Sequence, residues 1–177
     1  VSGFSGGEFV AYEYSGIQVA TISDAAWYDK NLDNVKNEFQ TFCLERNEFL
    51  GNGLVDGEDT GSVMGGKGSG AWDTWDVSGT LSFDPISLAT AYLYSQFWHG
   101  QLSGYDYYDT GVGRDVTAKS LQMAIWALED EKILWTDLDS RSQGWITEAV
   151  GKINSGAWTD IGGVRVLNIY TKDSSGT

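Results

Sequence analysis

The apolar and polar positions of this 177-residue chain alternate at its beginning, follow a helical period in its middle and alternate again at its end. Period-two alternation in segments 8–14, 16–22 and 39–45 predicts three β-strands, and segment 163–170 predicts a closing strand. Segment 50–71 is acidic and contains many glycines, which predicts a long loop or a loosely paired hairpin. Sheet structure is therefore expected towards both ends of the chain.

The middle of the chain carries apolar residues at a helical spacing in segments 86–98, 116–131 and 143–153. Gly100 is placed to end the first helix, and Asp115 is placed to cap the N-terminus of the second. The residues expected to face inward from the second and third helices are Leu121, Ala124, Ile125, Leu128, Trp145, Ile146, Val150 and Ile153.

Strands at both ends with helices between them predict an α+β fold, in which a β-sandwich or barrel carries a helical insertion at about 85–155. We find no linker that would divide the chain, so residues 1–177 are expected to form a single domain.

The composition of the chain disfavours some classes of binding partner. The 25 acidic and 11 basic residues give a net charge of −14, which repels nucleic-acid backbones and anionic lipid surfaces. We expect no nucleic-acid partner, and, since no apolar run is long enough to cross a bilayer, no membrane insertion. Acidity together with 23 glycines is common in exported bacterial proteins, so we expect a secreted or surface-displayed monomer.

Cys43 is the only cysteine and has no partner for an intrachain disulfide. Three interpretations follow from the residue alone: a buried and inert thiol, a thiol paired with another chain, or a thiol committed to some other chemistry. In the predicted strand 39–45, alternation places Cys43 on the face opposite to Phe42 and Leu44.

Two segments are similar to the halves of a known reactive site. Phe42-Cys43-Leu44-Glu45 and the helical run Leu121-Gln122-Met123-Ala124-Ile125-Trp126 resemble the bacterial thioester domains of surface adhesins. That family joins a cysteine to the glutamine of a Thr-Gln-x-Ala motif, which an aliphatic residue and Trp usually follow. Leu121 stands here in place of the threonine.

A broader resemblance links the chain to exported Gram-negative proteins that carry a C-terminal Pro-Glu-Pro sorting signal. It rests on the same two motifs and on segments 84–94, 97–100 and 164–170. The sorting signal itself is not part of this sequence.

The resemblance implies an internal thioester between Cys43 and Gln122, with Phe42 and Trp126 as aromatic cover that excludes water. Such a bond acylates an amine or hydroxyl group on a host, cell-surface or matrix macromolecule, once per molecule. The implied function is covalent adhesion, as in a biofilm, through an ester or isopeptide cross-link, by a protein that is not a turnover enzyme.

Other residues suggest alternatives. His99, the only histidine, is either an acid or base near the thioester or a side chain bound to the last carbonyls of its helix. Segments 29–33 and 56–59 hold acidic residues at a spacing compatible with Ca²⁺, but both lack the pattern of an EF-hand loop. We therefore favour solvated turns there and expect no cofactor.

Aromatic residues in or beside loops support a second hypothesis, a non-covalent carbohydrate- or matrix-binding β-sandwich in which Cys43 is simply buried. These residues are Trp72, Trp75, Tyr105, Tyr107 and Tyr108. A purely structural surface protein is the third hypothesis. A turnover enzyme is the least favoured, since the sequence has no nucleophile triad, metal-ligand cluster or phosphate loop.

Overall fold

Three helices and three pairs of short strands make up the regular structure that the computed structural model describes. The described residues are 8–12, 38–46, 55–60, 62–64, 83–108 and 112–171. The helices are α1 (Leu88–Trp98), α2 (Val112–Leu128) and α3 (Ser140–Asn154), with a single 3₁₀ turn at Trp135–Asp137 between α2 and α3.

The strands are β1 (Phe9–Tyr12), β2 (Glu38–Thr41), β3 (Val55–Thr60), β4 (Ser62–Met64), β5 (Phe83–Pro85) and β6 (Val166–Thr171). They form three separate antiparallel pairs, β1 with β2, β3 with β6, and β4 with β5. In the first pair Phe9 lies opposite Thr41, and in the second Val55 lies opposite Thr171.

The prediction of a β-sandwich or barrel is wrong, because each sheet in the described part of the chain has only two strands. The helices are not an insertion into a sheet. Their apolar faces pack mainly against one another and form the larger of two hydrophobic clusters. A helix can bury its apolar stripe against other helices as well as against a sheet, so the stripe alone does not specify its partner.

Several local predictions also need correction. The strand predicted at 39–45 ends at Thr41, and the loop or hairpin predicted at 50–71 contains β3 and β4, which pair with β6 and β5. The strand predicted at 16–22 lies outside the described residues.

Helices α1 and α3 begin at recognisable N-caps. Ser87 caps α1 by accepting a hydrogen bond from the Thr90 amide at 3.0 Å, and Asp139 caps α3 by accepting one from the Ser142 amide at 2.7 Å. Partial burial would raise the pKa of Asp139, but hydrogen bonds from Ser120 and Ser142 lower it below its ordinary value. Asp115 is not a cap, because α2 begins at Val112 and Asp115 lies in its first turn.

The C-termini of the three helices share one hydrogen-bond pattern but not one residue type. After α1 and α3 the chain turns through Gly100 (φ 67°) and Gly156 (φ 71°), a left-handed conformation in which glycine carries no Cβ penalty. Asp130 (φ 61°) stands at the same position after α2. The end of α1 at Gly100 agrees with the sequence prediction. The end of α2 is unusual, because a residue other than glycine adopts the left-handed conformation there.

An aromatic cluster centred on Phe97 fills the core between the helices. Phe97 is 1% exposed, and its ring centroid lies 5.0 Å from that of Tyr105, 5.1 Å from that of Phe42 and 5.9 Å from that of Tyr107. The stripe predicted on α2 packs into this cluster. On α3 Trp145 and Ile146 are buried as predicted, whereas Val150 is exposed and Ala149 takes the inward position.

A buried ion pair fastens the N-terminal segment to α2. Arg114 donates two hydrogen bonds to the carboxylate of Glu8, at 2.6 and 2.8 Å, and a third to the carbonyl of Tyr107 at 2.8 Å. The Tyr105 hydroxyl donates to the same carboxylate at 3.0 Å. Burial alone would lower the pKa of Arg114, but hydrogen bonding to Glu8 and its charge raise it, so the guanidinium stays charged. Burial, together with the charge of Glu8, raises the pKa of Tyr105.

None of the described helices combines the length and the apolar character that a bilayer crossing requires.

Arg114→Leu should lower the free energy of unfolding by about 3–5 kcal/mol, because it leaves the Glu8 carboxylate buried without its countercharge. The exposed Arg165, which donates only to nearby carbonyls, provides the control. Arg165→Leu should change the free energy by about 0.5 kcal/mol or less. Chemical denaturation followed by tryptophan fluorescence measures both values, and equal losses in the two variants would contradict the buried-pair interpretation.

Candidate functional site

The segment that carries Cys43 leaves β2 and enters the helical core. Phe42 is buried and meets the ring of Phe97 edge-on, and Leu44 packs against both hydrophobic clusters. Cys43, between them, is half-buried. The predicted alternation of Phe42 and Leu44 therefore holds, although strand pairing has already ended at Thr41.

Gln122 forms hydrogen bonds with the backbone of this segment. It lies on α2, is 0% exposed and follows Leu121, which is also 0% exposed. Its side-chain oxygen Oε1 accepts a hydrogen bond from the Cys43 amide at 3.0 Å, and its Nε2 donates to the Cys43 carbonyl at 2.6 Å. The amide thus binds both backbone groups of Cys43, as a neighbouring strand would, across 79 residues of sequence.

The thiol of Cys43 has a backbone partner of its own. Its Sγ lies 2.9 Å from the carbonyl oxygen of Glu45, to which the thiol donates. The side chain of Glu45 is buried. The sulfur is therefore held close to the backbone of its own segment.

The two proposed covering aromatics lie beside this contact in sequence and structure. Trp126 is 5% exposed and lies one helical turn after Gln122, on the same face of α2. Phe42 precedes Cys43 directly and is 8% exposed. Both residues belong to the buried interior.

His99 has the local role that the sequence offered as its second interpretation. It is the C-cap of α1, is exposed, and its Nδ1 donates to the carbonyl of Ser95 at 2.7 Å. A carbonyl oxygen can only accept, so Nδ1 carries a proton in this contact. The hydrogen bonds of its ring are with Ser95 of its own helix.

The acidic segments do not assemble a metal site among the residues described. The segment predicted as an acidic turn at 56–59 lies within β3, so that prediction is wrong, and segment 29–33 lies outside the described residues. The part of the chain that the structure covers contains no cluster of three or more His, Cys, Asp or Glu side chains arranged around a metal position.

Two of the five aromatics predicted to stack on sugars are not available as a platform. Tyr105 and Tyr107 are buried in the core, and only Tyr108 is strongly exposed, at 82%. Trp72 and Trp75 lie outside the described residues.

A second attachment of the segment that carries Cys43, through Arg46, was not predicted from the sequence. The Arg46 amide donates to Glu131 Oε2 at 3.3 Å, and the Arg46 guanidinium donates to the Lys132 carbonyl at 3.4 Å. Glu131 is 1% exposed, although the run Glu129-Asp130-Glu131 reads as a solvated helix end. No periodicity distinguishes a buried carboxylate in such a run, so the sequence held no signal for this contact.

Comparison with known proteins adds no assignment, because no family model, no curated protein and no solved structure matches this chain.

Gln122→Glu should destabilise the protein by about 3 kcal/mol near neutral pH, because the new carboxylate is buried and cannot donate to the Cys43 carbonyl. Burial raises the pKa of such a carboxyl above its unfolded value of ~4.3. The ionised form is the one that the fold disfavours, so the loss should shrink as the pH falls towards that unfolded value.

Unfolding free energies measured near neutrality and at about pH 5 test this expectation. The variant is compared in a Cys43→Ala background, which removes any chemistry at sulfur. Gln101→Glu, at an exposed position, is the matched control and should show no comparable loss at either pH. A loss that does not depend on pH would contradict burial of the carboxyl.

Proposed function

We propose that Cys43 and Gln122 form an internal thioester and that this bond acylates an amine or hydroxyl group on a surface or matrix macromolecule. The observation that carries the proposal is the paired hydrogen bond between the Gln122 amide and the Cys43 backbone. The resemblance of both motifs to those of surface adhesins supports the same chemistry.

The first hydrogen bond polarises the carbonyl that must be attacked. The Cys43 amide donates to Gln122 Oε1 at 3.0 Å, within the range that stabilises a developing oxyanion. As the sulfur adds to the Gln122 side-chain carbon, negative charge collects on that oxygen. The donor is a backbone group held in place by the fold, so it needs no reorganisation during the reaction.

The second hydrogen bond restrains the group that leaves. Gln122 Nε2 donates to the Cys43 carbonyl at 2.6 Å, which fixes the amide plane relative to the cysteine backbone. Both hydrogen bonds together hold the Gln122 amide next to the backbone of Cys43, the residue that carries the thiol. Such positioning replaces the improbable encounter of a free thiol with a free amide.

The bond changes balance without a cofactor or oxidant. Sulfur forms a bond to the Gln122 carbon, the carbon–nitrogen bond breaks, and the nitrogen leaves as ammonia with the thiol proton. In the second step an external amine or hydroxyl attacks the thioester carbon and the carbon–sulfur bond breaks. The attacking group loses its proton, the thiol regains one, and the target becomes attached to residue 122.

Burial of the site would protect the thioester until a target arrives. Gln122 is 0% exposed, while Cys43 is half-buried, so a nucleophile can approach from the cysteine side and bulk water is kept from the glutamine side. Since the second step consumes the bond, the protein acts once and is not a turnover enzyme. We further propose an extracellular setting, at the bacterial surface or in its matrix, where such targets occur.

Intact-protein mass spectrometry tests the first step. The wild-type chain should lack the mass of one ammonia, and both Cys43→Ala and Gln122→Ala should restore the full mass expected for each variant. The exposed Gln101 supplies the matched control, because Gln101→Ala should keep the deficit. Treatment with methylamine should add one methylamine and expose a thiol that iodoacetamide then alkylates.

Full mass, a freely alkylated Cys43 and an unmodified glutamine at position 122 by peptide mapping would overturn the proposal. Gln122 would then be a purely structural amide that satisfies the backbone of Cys43. A glutamate found at position 122 in the wild-type chain instead indicates that the thioester formed and was hydrolysed, which supports it.

A further inference from the structure

The turn that follows α2 has a backbone that few residues with a side chain adopt. Asp130 and Lys132 have φ values of 61° and 52°, and they are the only residues other than glycine with a positive φ in the described part of the chain. Such conformations are unfavourable for residues that carry a Cβ, and surrounding contacts must maintain them. The two residues flank Glu131.

The hydrogen bonds of this turn explain the left-handed conformation of Asp130. The Glu131 amide donates to the Trp126 carbonyl at 2.8 Å, the pattern that commonly ends a helix and requires a left-handed residue at position 130. The ends of α1 and α3 meet this requirement with Gly100 and Gly156. The second left-handed residue, Lys132, is not part of that pattern.

Glu131 occupies a position that is usually apolar in this motif. The residue two places beyond the helix cap normally packs against the last turn of the helix, yet here it is a carboxylate that is 1% exposed. A buried carboxylate is costly unless it is hydrogen-bonded. One of its oxygens accepts from the Arg46 amide at 3.3 Å, and the carbonyl of Lys132 accepts from the Arg46 guanidinium at 3.4 Å.

The cysteine segment, residues 43–46, is therefore held at both of its ends, at Cys43 by α2 and at Arg46 by the turn after α2. Gln122 binds the backbone of Cys43, and the strained turn binds Arg46, three residues later. The carbonyl of Glu45, to which the Cys43 thiol donates, lies between the two attachments. Movement of either attachment would change where the sulfur lies relative to the Gln122 amide.

We propose that Glu131 is a positioning residue for the thioester and that its bond to the Arg46 amide holds the Cys43 thiol within reach of Gln122. This inference rests on the proposed function for its chemical consequence. Glu131 acts through the backbone of the 43–46 segment and does not touch the reacting atoms. The left-handed conformation of Lys132, which the helix-ending pattern does not require, is maintained by the contacts that this turn makes with Arg46.

Glu129 supplies a matched control in the same turn. It carries the same charge, but its Oε1 accepts from the Ser87 amide at 3.2 Å, at the N-terminus of α1. Its removal therefore disturbs the end of α2 and a neighbouring element without releasing Arg46. A general loosening of the turn and a specific loss of cysteine positioning can thus be separated.

Three variants, Glu131→Ala, Glu131→Gln and Glu129→Ala, test the proposal under conditions in which circular dichroism shows all of them folded. The rate at which each chain loses ammonia after refolding is followed by intact mass. Glu131→Ala should form the bond about tenfold more slowly than wild type, the change that follows from losing the net contribution of one hydrogen bond. Glu131→Gln retains a side-chain oxygen that accepts from Arg46 and should restore most of the rate.

Glu129→Ala should form the thioester at the wild-type rate, even if its stability is lower. Equal rates in Glu131→Ala and wild type, or equal losses of rate in Glu131→Ala and Glu129→Ala, would overturn the positioning role.

Hydrogen exchange and thiol alkylation keep this test separate from the thioester itself. In a Gln122→Ala background no bond can form, and Glu131→Ala should still speed exchange of the Arg46 amide and alkylation of Cys43 by about tenfold. Should wild type show its full mass with an unmodified glutamine at position 122 while these two rates rise, the thioester proposal fails and the anchoring of the cysteine segment stands. Unchanged exchange and alkylation would overturn the anchoring by Glu131.

Discussion

Three polar side chains along α2 and the turn after it are almost completely withdrawn from water, and each needs a partner to be tolerated there. Arg114, Gln122 and Glu131 are 2%, 0% and 1% exposed. A buried charge or amide without a hydrogen bond costs several kcal/mol, roughly as much as a large part of a domain's net stability. All three take partners from segments far earlier in the chain, namely Glu8, Cys43 and Arg46.

The need of these buried side chains for partners explains how the N-terminal segments are held against the helices although no β-sandwich forms. The β1–β2 pair is too small to bury a continuous apolar face. Its neighbourhood is instead connected to the helices by directed contacts, including the hydrogen bond from the Tyr94 hydroxyl to the Gln40 carbonyl at 2.8 Å. Apolar packing by Phe42 and Leu44 adds to these contacts, but a non-directional force would not set the register of Cys43 against α2.

The geometry that satisfies the Gln122 amide in the fold is also the geometry on which the proposed thioester depends. As an amide, this side chain binds both backbone groups of Cys43, two residues after β2 ends. The backbone donor that satisfies Oε1 is also the group that would stabilise an oxyanion there, and the burial that makes the hydrogen bonds necessary would also exclude water. Formation of the proposed thioester gives up the Nε2 hydrogen bond, so the fold around it must be held by other contacts. Those of Phe42 with the core and of Arg46 with Glu131 remain.

The sequence by itself determined the local features of this protein. Helical periodicity located α1, α2 and α3 to within a few residues, and Gly100 marked the end of α1, because spacing and left-handed turns depend on neighbouring residues. Alternation also predicted that Phe42 and Leu44 share a side that Cys43 does not. The pairing of Cys43 with Gln122 came from a motif resemblance and not from periodicity, since nothing local links residues 79 positions apart.

Only the tertiary structure decided which surfaces meet. The apolar stripes of the helices were compatible with a sheet partner, yet they pack mainly on one another, and strand pairing in the described segments stops at two strands. Nothing local in the sequence predicts the burial of Arg114 and Glu131, because that burial depends on partners 106 and 85 residues away. Burial and long-range hydrogen bonding belong to the folded chain as a whole, and a single sequence carries no periodic signal for either.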